Sequence, residues 1–237
     1  MNEKSFPGAA CDLDLIATHS FDLSDGDRFL ARYAPAVRRY LEALLKNAQD
    51  AEDVAQSFFL RVVEGGLRRF DPARGRFRDY LKVGVRNAAL SFLRQKSRQP
   101  RVIDGAMIPE AFSQREPDAN RAWLREWQQC LLERVWQALE RHERFAEGNL
   151  FHTVLRASVD HPDEDSSELA VRVSCETGRP LSAEAFRKQL SRARQAFAKL
   201  IVREVELTLK QPSPADVEDE LTETGLLAFV QRFSTSE

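Results

Sequence analysis

The chain of 237 residues is 43% hydrophobic and 30% charged, and it carries a net charge of −2 at pH 7. This balance excludes an intrinsically disordered protein, and the length is sufficient for one or two domains with their own cores. Ten glycines and ten prolines stand mostly between periodic stretches, which favours helices throughout. We therefore expect an all-α protein of two helical domains joined by a linker.

The sequence lacks the signatures of several functional classes. Its three cysteines and four histidines have neither the spacing of a disulfide framework nor that of a zinc site. We find no nucleophile–base pair and no glycine-rich phosphate loop, so neither an enzyme nor a cofactor is expected. The N-terminus has no apolar run typical of a signal peptide, and no apolar stretch approaches the roughly 20 residues that span a bilayer. A cytoplasmic protein without membrane insertion is expected.

The first predicted helix runs from Ser24 to Lys46, after an N-terminal arm (residues 1–19) to which we assign no chemistry. Apolar residues recur there at helical spacing: Phe29, Tyr33, Val37, Tyr40, Leu41 and Leu44. Pro35 predicts a kink or two abutting helices. We expect this helix to be scaffold within a first domain of residues 20–98.

A second helix is predicted to begin at Asp50, a good N-cap, and to end at Gly65-Gly66. Val54, Phe58 and Val62 recur every four residues and share one face. An adjacent strip contains Asp53, Gln56 and Phe59. Two short polar groups beside an aromatic ring suit a helix interface with a polar rim and an apolar centre.

A loop, Phe70–Gly75, precedes a third helix from about Phe77 to Arg98. From Arg61 to Arg101 there are twelve basic residues against three acidic ones, a local balance of +9. Such a block predicts a surface that binds phosphate. Aromatic residues lie within it, and flat rings beside positive charge suit single-stranded bases. Phe77 and Tyr80 are either such stacking rings or core residues at a helix start.

These residues resemble bacterial RNA polymerase sigma factors of the sigma-70 family, extracytoplasmic-function (ECF) type. Ala51-Glu52-Asp53-Val54-Ala55-Gln56 with Phe58-Phe59 is similar to the segment that docks on the polymerase β′ clamp helices. The resemblance implies that Asp53, Gln56 and Phe59 bind polymerase. Phe70-Asp71-Pro72, Arg74-Gly75-Arg76-Phe77-Arg78, Tyr80-Leu81, Arg86-Asn87 and Leu93-Arg94 are similar to the segment that melts and binds the −10 promoter element.

The implied −10 contacts are Arg74, Arg76, Phe77, Arg78, Tyr80, Lys82, Arg86 and Asn87. The chain departs from the family at two places. Val83-Gly84 stands nearest the aromatic wedge pair of housekeeping sigma factors, and Ser91 stands where many ECF members carry an acid.

Residues 99–117 are the predicted linker, since three prolines and a glycine accompany a loss of periodicity. It is either a plain tether or, as the resemblance implies, a segment near the polymerase active site. Helix returns from Asp118 to Arg144, with Trp123 and Trp127 as core residues. A further helix is predicted from Asn149 to Ser158, and the second domain covers residues 118–209.

A short helix from Ser166, a turn at Thr177–Pro180 and a long helix capped by Ser182 form a helix-turn-helix pattern. Phe186, Leu190, Ala193, Phe197 and Leu200 would be the buried face of the long helix. Its exposed first turns would enter a major groove. Ala185–Arg194 resembles the ECF segment that contacts the −35 element, and the implied contacts are Ser182, Glu184, Arg187, Lys188, Ser191, Arg192 and Arg194.

The C-terminal tail, residues 210–237, is acidic, with six acids against two basic residues. Val217, Leu221, Leu226, Leu227, Phe229 and Val230 would make one apolar helix face. Similar endings occur in a divergent branch of ECF-like proteins. The tail is either a helix that completes the second domain or an acidic segment that competes with DNA for a basic surface.

Three functions fit the sequence. The first is an ECF-type sigma factor, whose partners would be core RNA polymerase (β′ clamp helices and β flap) and promoter DNA, with an anti-sigma factor or other regulator as a further candidate. The second is a helix-turn-helix regulator that binds duplex DNA without polymerase. The third is a protein-interaction module whose basic surface binds an acidic partner. The strip at Asp53 and Gln56 separates the first from the second, because a simple repressor does not need it.

Overall fold

Helices make up all the regular secondary structure in the part of the chain that the structure describes. The computed structural model describes residues 26–64, 76–97, 108–146, 148–209 and 212–234. Side chains are described from residue 33 in the first of these ranges and from residue 113 in the third. In chain order the helices are α1 (Gly26–Leu45), α2 (Ala48–Val63), α3 (Phe77–Ser97), α4 (Ile108–Phe145), α5 (Phe151–Asp160), α6 (Ser166–Thr177), α7 (Ala183–Glu206), α8 (Pro214–Glu223) and α9 (Leu227–Ser234). The prediction of an all-α fold is confirmed.

Some predicted features lie outside the described residues. They are the N-terminal arm, the stop at Gly65-Gly66, the loop Phe70–Gly75 with its Arg74, and the first part of the linker, residues 99–107. None of the helices described is long and apolar enough to cross a membrane.

The turn between α1 and α2 differs from the prediction. The helix α1 continues through Pro35 and ends at Leu45. Lys46 then takes the left-handed conformation, with a φ of 54°. Asn47, not Asp50, is the N-cap of α2, and its Oδ1 accepts a hydrogen bond from the Asp50 backbone N–H at 2.9 Å. The predicted cap was wrong because Asn47 satisfies the first-turn donors one turn earlier.

Helices α1–α3 and the first half of α4 enclose the first core. Its largest fully buried side chains are Tyr40, Leu41, Leu44, Phe77, Leu81 and Trp123. The Trp123 ring meets the Tyr40 ring edge-on at 5.5 Å, and Trp127 stacks on Tyr33 at 4.7 Å. The prediction that both tryptophans are core residues is confirmed.

The helix α4 begins ten residues before the predicted position and includes Pro117. Residues 108–117, expected to be linker, are therefore helical. Proline inside a helix costs about 3 kcal/mol. The following turn buries Ala119, Ala122 and Trp123 against the first core, and this burial offsets that cost.

The packing partners of α4 change within that helix, between Cys130 and Leu131. The domain boundary was predicted earlier in the chain, between residues 117 and 118. The first half of α4 buries Trp123, Trp127 and Cys130 in the first core. Its second half buries Leu131, Val135, Ala138 and Leu139 in the second core, together with α5, α7, α8 and α9. One uninterrupted helix thus belongs to both cores.

The C-terminal residues form two helices that complete the second core. Leu221, Leu226 and Val230 are buried there, and Gly225, with a φ of 71°, separates α8 from α9. The α8 N-terminus carries a capping box in which Ser213 and Asp216 satisfy each other's backbone N–H groups. The alternative in which the tail is a helix that packs on the second domain therefore describes these residues.

Candidate polymerase and nucleic-acid surfaces

The predicted docking strip on α2 is only partly at the surface. Asp53 and Gln56 are exposed, as expected, whereas Phe59 is 7% exposed and belongs to the first core. Its ring meets Phe58 edge-on at 6.2 Å, and the Arg38 guanidinium covers it at 5.4 Å from the centroid. The expectation of an accessible Phe59 is thus corrected, because packing against Phe58 draws the ring inward.

Two other apolar residues lie on the surface beside Asp53 and Gln56. Leu60 is 64% exposed and Val63 is 54% exposed. Positions 53, 56, 60 and 63 are spaced three, four and three apart, so they form one helical row. We call Asp53, Gln56, Leu60 and Val63 the docking row. The sequence reasoning missed the two apolar members, although their spacing from Gln56 could have indicated them.

The predicted −10 residues with described side chains lie along α3 and the residue before it. Asn87 is exposed, Lys82 is half-buried, and Lys82 Nζ lies 3.9 Å from the Asp79 carboxylate. Arg86 makes two hydrogen bonds to the Glu116 carboxylate, from Nε at 2.7 Å and from Nη2 at 3.3 Å. Helix α3 therefore brings these groups onto one element, but Arg86 is engaged by an acid of α4.

Arg76 and Arg78 meet three acids of α8, which we call the acidic face: Asp219, Glu220 and Glu223. Arg76 Nη1 lies 2.7 Å from Glu223 Oε1 and 3.3 Å from Glu220 Oε2, and its Nη2 lies 3.6 Å from Asp219 Oδ2. Arg78 donates to Glu220 at 3.3 Å and also pairs with Glu223. The acidic composition of the tail had indicated competition for a basic surface, but no sequence signal paired it with these two arginines, which are more than 140 positions away.

The environment of this cluster shifts the pKa values of Arg76, Glu220 and Glu223 in different directions. Burial lowers the pKa of Arg76, but Glu223 and Glu220 outweigh that effect and the pKa is raised. Burial acts to raise the pKa of Glu223, but hydrogen bonds and charge from Arg78 and Arg76 outweigh it, so the pKa is lowered overall. Burial raises the pKa of Glu220 despite the two arginines. Glu223 therefore stabilises the cluster above its unfolded pKa, and this contribution is lost as the pH falls through the lower folded value.

The two aromatic residues of this segment have different surroundings. Phe77 is 1% exposed, and its ring centroid lies 5.5 Å from that of Tyr33. The core alternative therefore describes Phe77, which presents no open face to a base in this conformation. Tyr80 is half-buried at the margin of the first core.

Caps define the ends of α6 and the start of α7. Asp165 and Glu168 form a capping box at the start of α6, and Gly178, with a φ of 67°, ends that helix and begins the turn. Ser182 Oγ accepts a hydrogen bond from the Ala185 backbone N–H at 3.2 Å. The predicted N-cap at Ser182 is confirmed, and it fixes the direction in which α7 begins.

The first turns of α7 carry an exposed polar row. Phe186, Ala193, Phe197 and Leu200 are buried and Leu190 is half-buried, as predicted. The side chains exposed on the opposite side are Ser182, Glu184, Arg187, Lys188, Ser191 and Arg192. Lys188 Nζ pairs with Glu184 Oε1 at 2.7 Å. The sequence pattern therefore identified the accessible side of this helix correctly.

Arg194 differs from the rest of that set because α9 covers it. Its guanidinium lies 5.6 Å from the Phe233 ring centroid. Burial, and then the positive charge of Arg232, lower its pKa. Among the described residues, no group of three or more His, Cys, Asp or Glu side chains could hold a metal ion.

The docking row and the basic residues of α3 are thus carried by one four-helix unit, α1–α3 with the first half of α4. Residues 29–99 match the family model of sigma-70 region 2. This region 2 match covers both of those surfaces. No curated protein and no solved structure matches the chain.

Proposed function

We propose that the chain is an ECF-type sigma factor that binds core RNA polymerase and directs promoter-specific initiation. The observation that carries the proposal is the region 2 match over residues 29–99, on helices that hold an exposed docking row. An exposed apolar pair, Leu60 and Val63, beside Asp53 and Gln56 has the composition of a helix interface with a polar margin. We infer that this row contacts the β′ clamp helices.

Promoter contacts are assigned to two further surfaces. Arg76, Arg78, Lys82 and Arg86 would hold the strand of the −10 element, since guanidinium and ammonium groups bind phosphate. The exposed row at the start of α7 would enter the major groove of the −35 element, where Arg187 or Lys188 contacts a base edge. Arg192 would contact phosphate.

The alternative is a DNA-binding regulator that acts without polymerase. The exposed row of α7 suits either function, since both need a helix in the major groove. The docking row separates them, because a regulator that binds duplex DNA alone has no use for an exposed apolar row on α2.

Binding to core polymerase tests the proposal. We expect Asp53→Ala with Gln56→Ala to weaken binding about ten-fold, because the polar margin then loses its hydrogen bonds to the partner helices, each of which contributes about 0.5–1.5 kcal/mol. Recovery of polymerase subunits on the immobilised full-length protein measures this, and far-UV circular dichroism checks the fold. Glu133→Ala with Gln137→Ala, an exposed acid and glutamine on α4, is the matched control. Equal recovery by the two folded variants would remove the docking assignment.

A further inference from the structure

The acidic face of α8 occupies the arginines that the proposed function assigns to promoter DNA. Arg76 lies within 3.6 Å of three carboxylates, and Arg78 pairs with two of them. Carboxylate and phosphate oxygens use the same guanidinium donors in the same planar geometry. The acidic face and a DNA strand therefore cannot bind these two side chains at the same time.

Burial shows that this contact is part of the packed structure. The side chains of Arg78 and Glu220 are 5% and 2% exposed, and that of Arg76 is 23% exposed. A phosphate group could not reach Arg78 in this arrangement. Access requires α8 to move away from α3.

Helix α8 packs one face in the second core and directs its acids toward α3 from another face. Val217 and Leu221 are buried in the second core. Glu220 and Glu223, three positions apart, lie on a neighbouring face of the same helix and meet the arginines. The acidic face is thus attached to the second core and would separate from α3 together with it.

A fourth acid also occupies one of the predicted −10 arginines. Glu116, on α4, makes a bidentate contact with Arg86. Among the predicted −10 arginines whose side chains are described, each is paired with a carboxylate from beyond residue 100. The carboxylates that pair with these three arginines therefore come from α4 and α8.

In the described part of the chain, the contact between α8 and α3 leaves some buried polar atoms without a hydrogen-bond partner. Within the described residues, Arg78 Nε and Glu220 Oε1 are buried without a hydrogen-bond partner. Burial also raises the pKa of Glu220, because its charged form loses hydration. A buried charge network with missing partners is less stable than a complete one, so separation recovers hydration for both groups.

We propose that α8 is an intramolecular inhibitor that competes with promoter DNA for Arg76 and Arg78. This inference rests on the proposed function, because it takes those arginines to be DNA contacts. The described structure is then the closed state, and DNA binding selects an open state in which α8 has left α3. The apparent affinity for DNA is lower than the intrinsic affinity by the fraction of molecules that are open.

The test compares the full-length protein with Glu220→Gln/Glu223→Gln, which removes two charges without changing side-chain size. The probe is a fluorescein-labelled single-stranded oligonucleotide of mixed sequence, and anisotropy gives its dissociation constant. We expect the variant to bind about ten-fold tighter, within the usual range of coupling between sites. Glu133→Gln/Glu218→Gln removes the same charge from exposed positions and should leave the affinity within about two-fold of wild type.

A third variant shows whether the gain in DNA affinity depends on the arginines. Adding Arg76→Ala to Glu220→Gln/Glu223→Gln should return the affinity toward the wild-type value. Arg76 is the better choice because Arg78 is nearly inaccessible and its loss endangers the fold. A gain that survived Arg76→Ala would overturn competition at this site.

Opening is measured independently of DNA by the distance between spin labels at Val83→Cys and Glu218→Cys. The background protein has Cys11 and the exposed Cys175 replaced by serine. The charge-neutral variant should show a longer or broader distance distribution. An unchanged distribution with unchanged DNA affinity would overturn the inhibitor while leaving the proposed function standing, provided that wild type still binds polymerase. Loss of polymerase binding would instead overturn the proposed function, and the inhibitor with it.

Discussion

At the scale of single residues, similar side chains have opposite environments. Leu60 and Phe59 are neighbours on α2, yet Leu60 is 64% exposed and Phe59 is 7% exposed. Arg78 is 5% exposed and paired with acids of α8, whereas Arg187 is exposed near the start of α7. Residue type alone therefore does not decide which group can reach a partner.

Arg187→Ala should relax sequence preference at one base pair, because a base-edge contact contributes about 1–3 kcal/mol of discrimination. Arg192→Ala should instead weaken binding to all DNA sequences alike, since phosphate contacts carry no base information. Selection from a random duplex library with each full-length variant measures both effects. Arg121→Ala, at an exposed position on α4, is the control. Identical base profiles for wild type and Arg187→Ala would exclude base contact by this residue.

At the scale of elements, helix ends fix the direction of α6 and α7. Leu181 donates its backbone N–H to Ser174 Oγ at 2.9 Å, which ties the turn to the body of α6. Gly178 permits the left-handed conformation that ends α6. Together with the Ser182 cap, these contacts position the exposed row of α7.

Gly178→Ala should destabilise the fold by about 1 kcal/mol, because alanine is strained at a positive φ. Nothing lies within 4 Å of the added Cβ, so the cost is conformational. Gly84→Ala is the comparison: its Cβ would lie 3.5 Å from the Phe58 ring, an ordinary contact inside α3. It should stabilise by about 0.5–1 kcal/mol. Urea denaturation gives both values, and shifts of the same sign would contradict this account.

At the scale of the molecule, α4 joins the two cores. Its residues Trp123 and Trp127 are buried in the first core, and Leu131 and Val135 in the second, within one helix. Loss of either core removes the packing partner of half of that helix, and isolated helical segments are marginal in water. The two cores should therefore unfold together.

Ile201→Ala tests this coupling. Ile201 is 1% exposed in the second core, so truncation should cost about 2–5 kcal/mol. In a Trp136→Phe background the remaining tryptophans report on the first core, and far-UV circular dichroism reports on all helices. We expect both signals to shift together in urea. Lys199→Ala, exposed on the same helix, should change stability by less than about 0.5 kcal/mol. An unshifted fluorescence transition would show that the cores unfold independently.

The sequence by itself determined the helical fold, the buried face of α7 and its cap at Ser182. It also indicated the resemblance to sigma-70 region 2 that the family model matches over residues 29–99. Apolar spacing and capping involve residues within about four positions of one another, so they can be recognised without the fold.

The tertiary structure decided which apolar row of α2 is buried, since Phe59 and Leu60 are adjacent apolar residues and only Phe59 packs in the first core. It also decided that α4 continues through Pro117, because burial of the following turn outweighs the local cost of proline. The pairing of Arg76 and Arg78 with the acidic face joins residues 142 to 147 positions apart. Such a contact depends on how two cores are placed against each other, and no local pattern in either segment encodes that placement.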